Sequence, residues 1–263
     1  MLGKLLKHEF WATSRAMVPI YAGSLILALI NRLLMSISFG DNFHAVSPHG
    51  GVFTTVLTSV FIFLFVIVMA AIPVTTAIFI IRRFYTHLLK DEGYLTHTLP
   101  VGIDGLLWSK LIPAFSWAAA SAVVMFFSIV ILLGGIPFLD YFREFLPSMR
   151  EVLGYLGGYR LSIFLTIIIL ILLSFNWILH FYISLSIGQL ANRRKILAAI
   201  GVYFGIYFAS SIVTTAVFQA MIFSNIDHSA NSALLVLLFG SLIPCAVYYL
   251  ITRYLLKNRL NLE

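Results

Sequence analysis

Along the 263 residues, apolar positions gather into six long runs instead of alternating with polar ones. The runs cover approximately 17–38, 52–81, 106–133, 160–190, 196–222 and 232–256. Each reaches or exceeds the ~20 residues a helix needs to cross a hydrocarbon core. Period-two alternation is absent, which argues against a lipid-facing β-barrel. The pattern predicts an all-α polytopic membrane protein, with six transmembrane helices forming a single transmembrane domain over residues 1–263.

Two shorter segments carry a helical period with one polar side. In MLGKLLKHEFWATSR, Leu2, Leu5, Leu6, Phe10 and Thr13 recur at helical spacing, with Lys4, Lys7, His8 and Glu9 opposite. A basic helix of this kind lies in the membrane interface, so residues 1–16 are expected as an interfacial helix. The alternative is a plain extension of the first span. Pro19 fits the first turn of the spanning helix or a bend into it. In RRFYTHLLKDEG, Phe84, Tyr85, Leu88 and Leu89 share one face, and Arg83, Thr86, His87, Lys90 and Asp91 the other. Gly93 is placed to end this short helix in a left-handed cap, and Leu99-Pro100 blocks any continuation. Asp104 can then cap the third span, while Lys110 can snorkel to the headgroups. Residues 82–105 thus form a cytoplasmic helical hairpin, a device that membrane insertion alone does not require. Outside, Phe138, Tyr141, Phe142, Phe145 and Leu146 predict a short interfacial helix that stops before Pro147.

Composition agrees with the pattern. Hydrophobic residues make up 61% of the chain, charged residues 10%, and the mean hydropathy is +1.01. Soluble domains carry about 25% charged residues. The net charge of +7 reads as topology. Thirteen of the 17 Lys and Arg fall on one side: Lys4, Lys7, Arg15, Arg82, Arg83, Lys90, Lys110, Arg193, Arg194, Lys195, Arg253, Lys257 and Arg259. That side is cytoplasmic by the positive-inside rule, with both termini inside. No basic patch suited to nucleic acid is present. The single cysteine, Cys245, permits no intrachain disulfide, and no cleavable signal peptide is expected.

Several chemistries are excluded or disfavoured. No GxxxxGK[ST] phosphate loop occurs, so the chain cannot hold ATP in that manner. HEFWA at 8–12 begins like a zinc-protease motif but lacks the second histidine, and His87 with His97 would lack further metal ligands. The chain is therefore not expected to be an enzyme. All ten acidic residues lie in connections or at helix ends. A secondary transporter would keep an intramembrane acid in its ion path. Polar residues within the spans form two faces: Asn176, His180 and Ser184 on the fourth helix, and Tyr203 and Tyr207 with Ser211 on the fifth. Either they line a cargo route or they are glue between packed helices. Asn31 and Arg32, late in the first span, pose the same question.

The stretch Glu92-Gly93-Tyr94-Leu95, then Leu99-Pro100-Val101, then Lys110 resembles the second connection of ABC-2 type transporter permeases. The opening LGKLLKHEFWATSR is similar to the N-terminal interfacial helix of that family, and six spans with both ends inside fit it as well. Tyr94 stands where many members carry threonine or a similar small residue. The resemblance implies the permease subunit of a bacterial ABC exporter in the cytoplasmic membrane, paired with a second permease copy, as a homodimer, and two copies of a separate ABC ATPase. It implies that residues 82–105 carry the coupling helix, with Arg83, His87, Lys90, Asp91, Glu92, Gly93 and Tyr94 at the ATPase contact. ATP and Mg would sit on the partner, and this chain would bind no cofactor. The 23 Phe and 12 Tyr favour an amphipathic or apolar cargo, with a small peptide toxin or antimicrobial peptide foremost. Asn31, Arg32, Asn176, His180, Ser184, Tyr203 and Tyr207 are the candidate cargo route. The readings from other classes are a non-transporting membrane sensor or assembly scaffold, and a secondary transporter.

Overall fold

A computed structural model describes residues 2–39, 51–89, 102–155, 160–191, 193–223 and 230–258. Among these, every regular element is helical: α1 (Leu2–Phe39), α2 (Val52–Phe84), α3 (Ile103–Tyr155), α4 (Arg160–Gly188), α5 (Lys195–Phe223) and α6 (Ala230–Asn258). A wider, π-type turn, Tyr85–Leu89, continues α2. Six helices are long and apolar enough to cross a membrane. Leu33, Phe63 and Ile212 are each at least 65% exposed, and large apolar side chains more than half exposed occur on every one of the six. Water does not tolerate apolar surface on that scale. The chain is a multi-pass membrane protein.

Two boundaries differ from the sequence pattern. The helix α1 runs unbroken from Leu2 through Pro19 to Phe39, so no break separates residues 2–16 from the span. The helix α3 covers 53 residues, well past the expected span end at 133, and includes the segment expected as a separate helix before Pro147. Apolar positions 131, 138, 142 and 145 keep helical phase across Gly134-Gly135. Each proline weakens the ladder by ~3 kcal/mol without stopping it where the pattern continues on both sides.

The helices contribute to two compact units, residues 1–9, 80–115 and 156–263 in one, 10–79 and 116–155 in the other. In the second unit, α1 buries Met17, Tyr21, Ser24, Ala28, Asn31, Met35 and Ser38. Their spacing alternates four and three, the period of a helix seam. Nearly half of that seam is polar, because lipid rewards interhelix packing and hydrogen bonds and gives apolar side chains no reason to turn inward. The hydroxyls of Ser38 and Thr58 are 2.7 Å apart. The Asn31 amide donates to the Phe61 carbonyl at 3.1 Å and to its own Leu27 carbonyl at 3.0 Å. Ser121 on α3 lies 2.7 Å from both the Tyr21 and Thr76 hydroxyls.

In the first unit, α4 packs against α5 and α6. The turn from α4 to α5 is tight for two reasons. Gly188 meets Ala199 so closely that a Cβ on the glycine would stand 2.6 Å from the alanine Cβ. Arg194 adopts a left-handed conformation, φ 57°, and its carbonyl accepts from the Ala198 amide at 3.1 Å to start α5. The short connection between Gly188 and Lys195 therefore joins helices that pack on each other.

Candidate functional site

The site begins with the two stems that flank residues 90–101, the end of α2 and the start of α3. Lys90, Asp91, Glu92, Gly93 and Tyr94 lie outside the described residues. Arg83 and His87 are described, and so are the anchors beneath them.

The apolar face expected on the first stem is buried. Phe84, Leu88 and Leu89 pack in one cluster with Leu106, Leu107 and Leu111 of the second stem and with Ile178, Leu179 and Tyr182 of α4. Tyr85 packs against the cluster from its edge. The Phe115 ring stacks on Phe175, with centroids 4.9 Å apart, and Trp108 sits edge-on to Phe175 at 6.2 Å. Both stems are thus seated on the same helix.

Charge ties reinforce that seat. Glu9 of α1 is buried, 8% exposed, and its two carboxylate oxygens serve different stems. Oε2 accepts from Arg83 Nη1 at 2.6 Å, while Oε1 accepts from Lys110 Nζ. Lys110 is only 7% exposed, so it does not reach to the headgroups as a free cation would. The buried carboxylate supplies a closer partner. Asp104 also departs from expectation. Its carboxylate accepts from Tyr249 at 2.8 Å through Oδ1 and from Arg253 Nη2 at 2.8 Å through Oδ2, both on α6. The first backbone hydrogen bond of α3 runs from the Leu106 amide to the Gly102 carbonyl at 3.2 Å, so Gly102 holds the cap position and Asp104 lies inside the first turn. The second stem is pinned to α1 on one residue and to α6 on another.

Glu9, Asp104, Tyr249 and Arg253 were not singled out as functional by spacing. Sequence patterning grouped Glu9 with the polar side of the first helix, whereas in the structure Lys7 and His8 are exposed and Glu9 shares the buried side with Thr13 and Met17. A signal existed: positions 9, 13 and 17 extend the seam of α1 backwards at steps of four.

The candidate cargo-route residues belong to both units, Asn31 and Arg32 to the second and the others to the first. Asn31 is fully buried and Arg32 is intermediate. On α4, the Asn176 amide donates to the Ser241 carbonyl of α6 at 2.6 Å. His180 Nε2 donates to the Tyr203 carbonyl of α5 at 3.1 Å, with the His180 and Tyr203 rings 4.5 Å apart. Ser184 bonds back to its own His180 carbonyl at 2.7 Å. The three side chains on one face of α4 thus reach α6, α5 and their own helix, the uses of interhelix glue. Tyr207 is exposed. Asn31 Oδ1, Asn176 Oδ1, Trp117 Nε1 and Ser128 Oγ are buried without a hydrogen-bond partner among the described residues.

No protein-family model, no curated protein and no solved structure matches the chain. What it does must be read from its own residues.

Proposed function

We propose that this chain is the permease subunit of an ATP-binding-cassette exporter in the bacterial cytoplasmic membrane, with both termini in the cytoplasm. Two copies of the chain stand over two copies of a separate ATPase that hydrolyses ATP. Residues 90–101, with Arg83 and His87 at their entry, are the ATPase contact. The observation that carries this reading is the anchoring of both stems of that segment. A loop that only joins two spans needs no buried counter-ion, yet here two further helices, α1 and α6, hold its ends through the pairs of Glu9 with Arg83 and Lys110 and of Asp104 with Arg253. A segment that receives force needs anchored ends, and the two stems that flank this one are held by buried apolar packing and by ion pairs. The cargo is an amphipathic or apolar molecule, a small peptide toxin or antimicrobial peptide foremost, which suits a chain rich in Phe and Tyr.

The test is purification of the tagged full chain from its native membranes, with mass-spectrometric identification of what comes with it. A phosphate-loop ATPase is the expected companion. The double reversal Asp91→Lys, Glu92→Lys should weaken its retention by about 2–5 kcal/mol, since stranding one partner of an interfacial charge pair leaves the other unpaired. Reconstituted with the ATPase, the wild-type complex should turn over ATP and move labelled amphipathic peptide. Full retention, turnover and efflux by the reversed variant would remove the two carboxylates from the contact. Absence of any ATPase would favour the scaffold reading.

A further inference from the structure

We propose that Glu9 is a positioning residue: as the common counter-ion of one cation from each stem, it sets the separation of the ends of α2 and α3. Each oxygen of the carboxylate accepts from a different stem, Oε2 from Arg83 and Oε1 from Lys110. Two cations that bind one carboxylate stand within a few ångströms of each other. Their mutual repulsion is large where water is excluded, and Lys110 is 7% exposed.

Adhesion alone does not require this arrangement. Phe84, Leu88, Leu106 and Leu107 already bury the stems in one apolar cluster. Buried ionic triads add little net stability over apolar packing of the same volume, and their attested use is to select one register. A glutamine could not replace Glu9 in that role, because its amide nitrogen would face a cation. With the carboxylate the stems have one stable spacing; without it two like charges push them apart. The effect on transport rests on the reading of residues 90–101 as the ATPase-facing segment. The effect on spacing does not.

The decisive experiment separates the two. Spin labels at Arg82→Cys and Gly102→Cys, both exposed positions, in a Cys245→Ser background, report the stem-to-stem distance in liposomes holding this chain alone. Glu9→Gln should lengthen and broaden the distance distribution. Adding Arg83→Gln to Glu9→Gln should narrow it again, because the repulsion between Arg83 and Lys110 is removed. A purely packing or hydrogen-bonding role predicts the opposite order, with the double variant at least as disturbed as the single. An unchanged distribution in Glu9→Gln, or a double variant worse than the single, overturns the proposal. If Glu9→Gln does not accumulate in the membrane, Glu9→Gln, Arg83→Gln must still do so, and failure of both also overturns it. With the ATPase present, Glu9→Gln should bind it normally but move about fivefold less cargo per ATP, the low end of coupling between sites. A spacing change with no ATPase bound by the wild type would leave the charge clamp standing and remove the exporter reading.

Discussion

Phe84 and Tyr182 stack with their ring centroids 3.9 Å apart and their planes 11° from parallel. Both are almost wholly buried, and the contact joins the end of α2 to the C-terminal quarter of α4. Truncating Phe84 to alanine removes the central filler of the cluster under both stems. In water-soluble cores such a change costs about 3–5 kcal/mol, part of it transfer from water. That part is missing in lipid, so the expected loss is about 1–3 kcal/mol. Equilibrium unfolding in mixed detergent should show it, with Phe84→Leu losing less.

The Gly188–Ala199 contact gives a paired prediction. A methyl at residue 188 would stand 2.6 Å from the Ala199 Cβ, so Gly188→Ala must push α4 and α5 apart. Overpacking of that kind costs about 1–3 kcal/mol. The second-site change Ala199→Gly should recover part of that loss, as residues in contact couple and distant ones do not. Thermal unfolding of the two single variants and the double gives the coupling directly; strict additivity would deny the contact.

His180→Leu separates glue from route. The imidazole ties α4 to a carbonyl of α5. Losing such a bond inside a membrane costs about 0.6–2 kcal/mol. The expected outcome is lower stability with unchanged export per folded molecule. Normal stability with altered cargo selectivity would return His180 to the route.

Orientation is checked by thiol labelling of intact cells in a Cys245→Ser background. Cysteines at His49, Ser148 and Asn231 should react with an impermeant reagent added outside. Cysteines at Thr96 and Arg194 should react only after the membrane is opened. Labelling of residue 194 from outside would invert the topology.

How much of this was legible follows from what a membrane does to sequence signals. The six spans were legible because lipid demands long apolar runs. The buried face of Phe84, Leu88 and Leu89 was legible too, since that stem carries charges on its other side. The seam of α1 was not, because in lipid the outward side chains are as apolar as the inward ones. There Ser24, Asn31 and Ser38 mark the inside. The tie from Glu9 to Arg83 and Lys110 spans 74 and 101 positions along the chain, beyond any local period. The length of α3 was missed because Gly134-Gly135 and Pro147 read as stops, though the helical phase runs across them.

The alternating seam of α1 has a mechanical consequence. Teeth spaced four and three apart mesh with α2 at one setting, and the next equivalent setting lies seven residues away, about 10 Å along the axis. Any smaller slide would carry Asn31 away from the Phe61 carbonyl and Ser38 from Thr58. In hydrocarbon neither would find water to replace what it lost. The pair is therefore keyed like a splined shaft: residues 17–38 of α1 and their partners on α2 can tilt or turn as one piece, but they do not slip past each other.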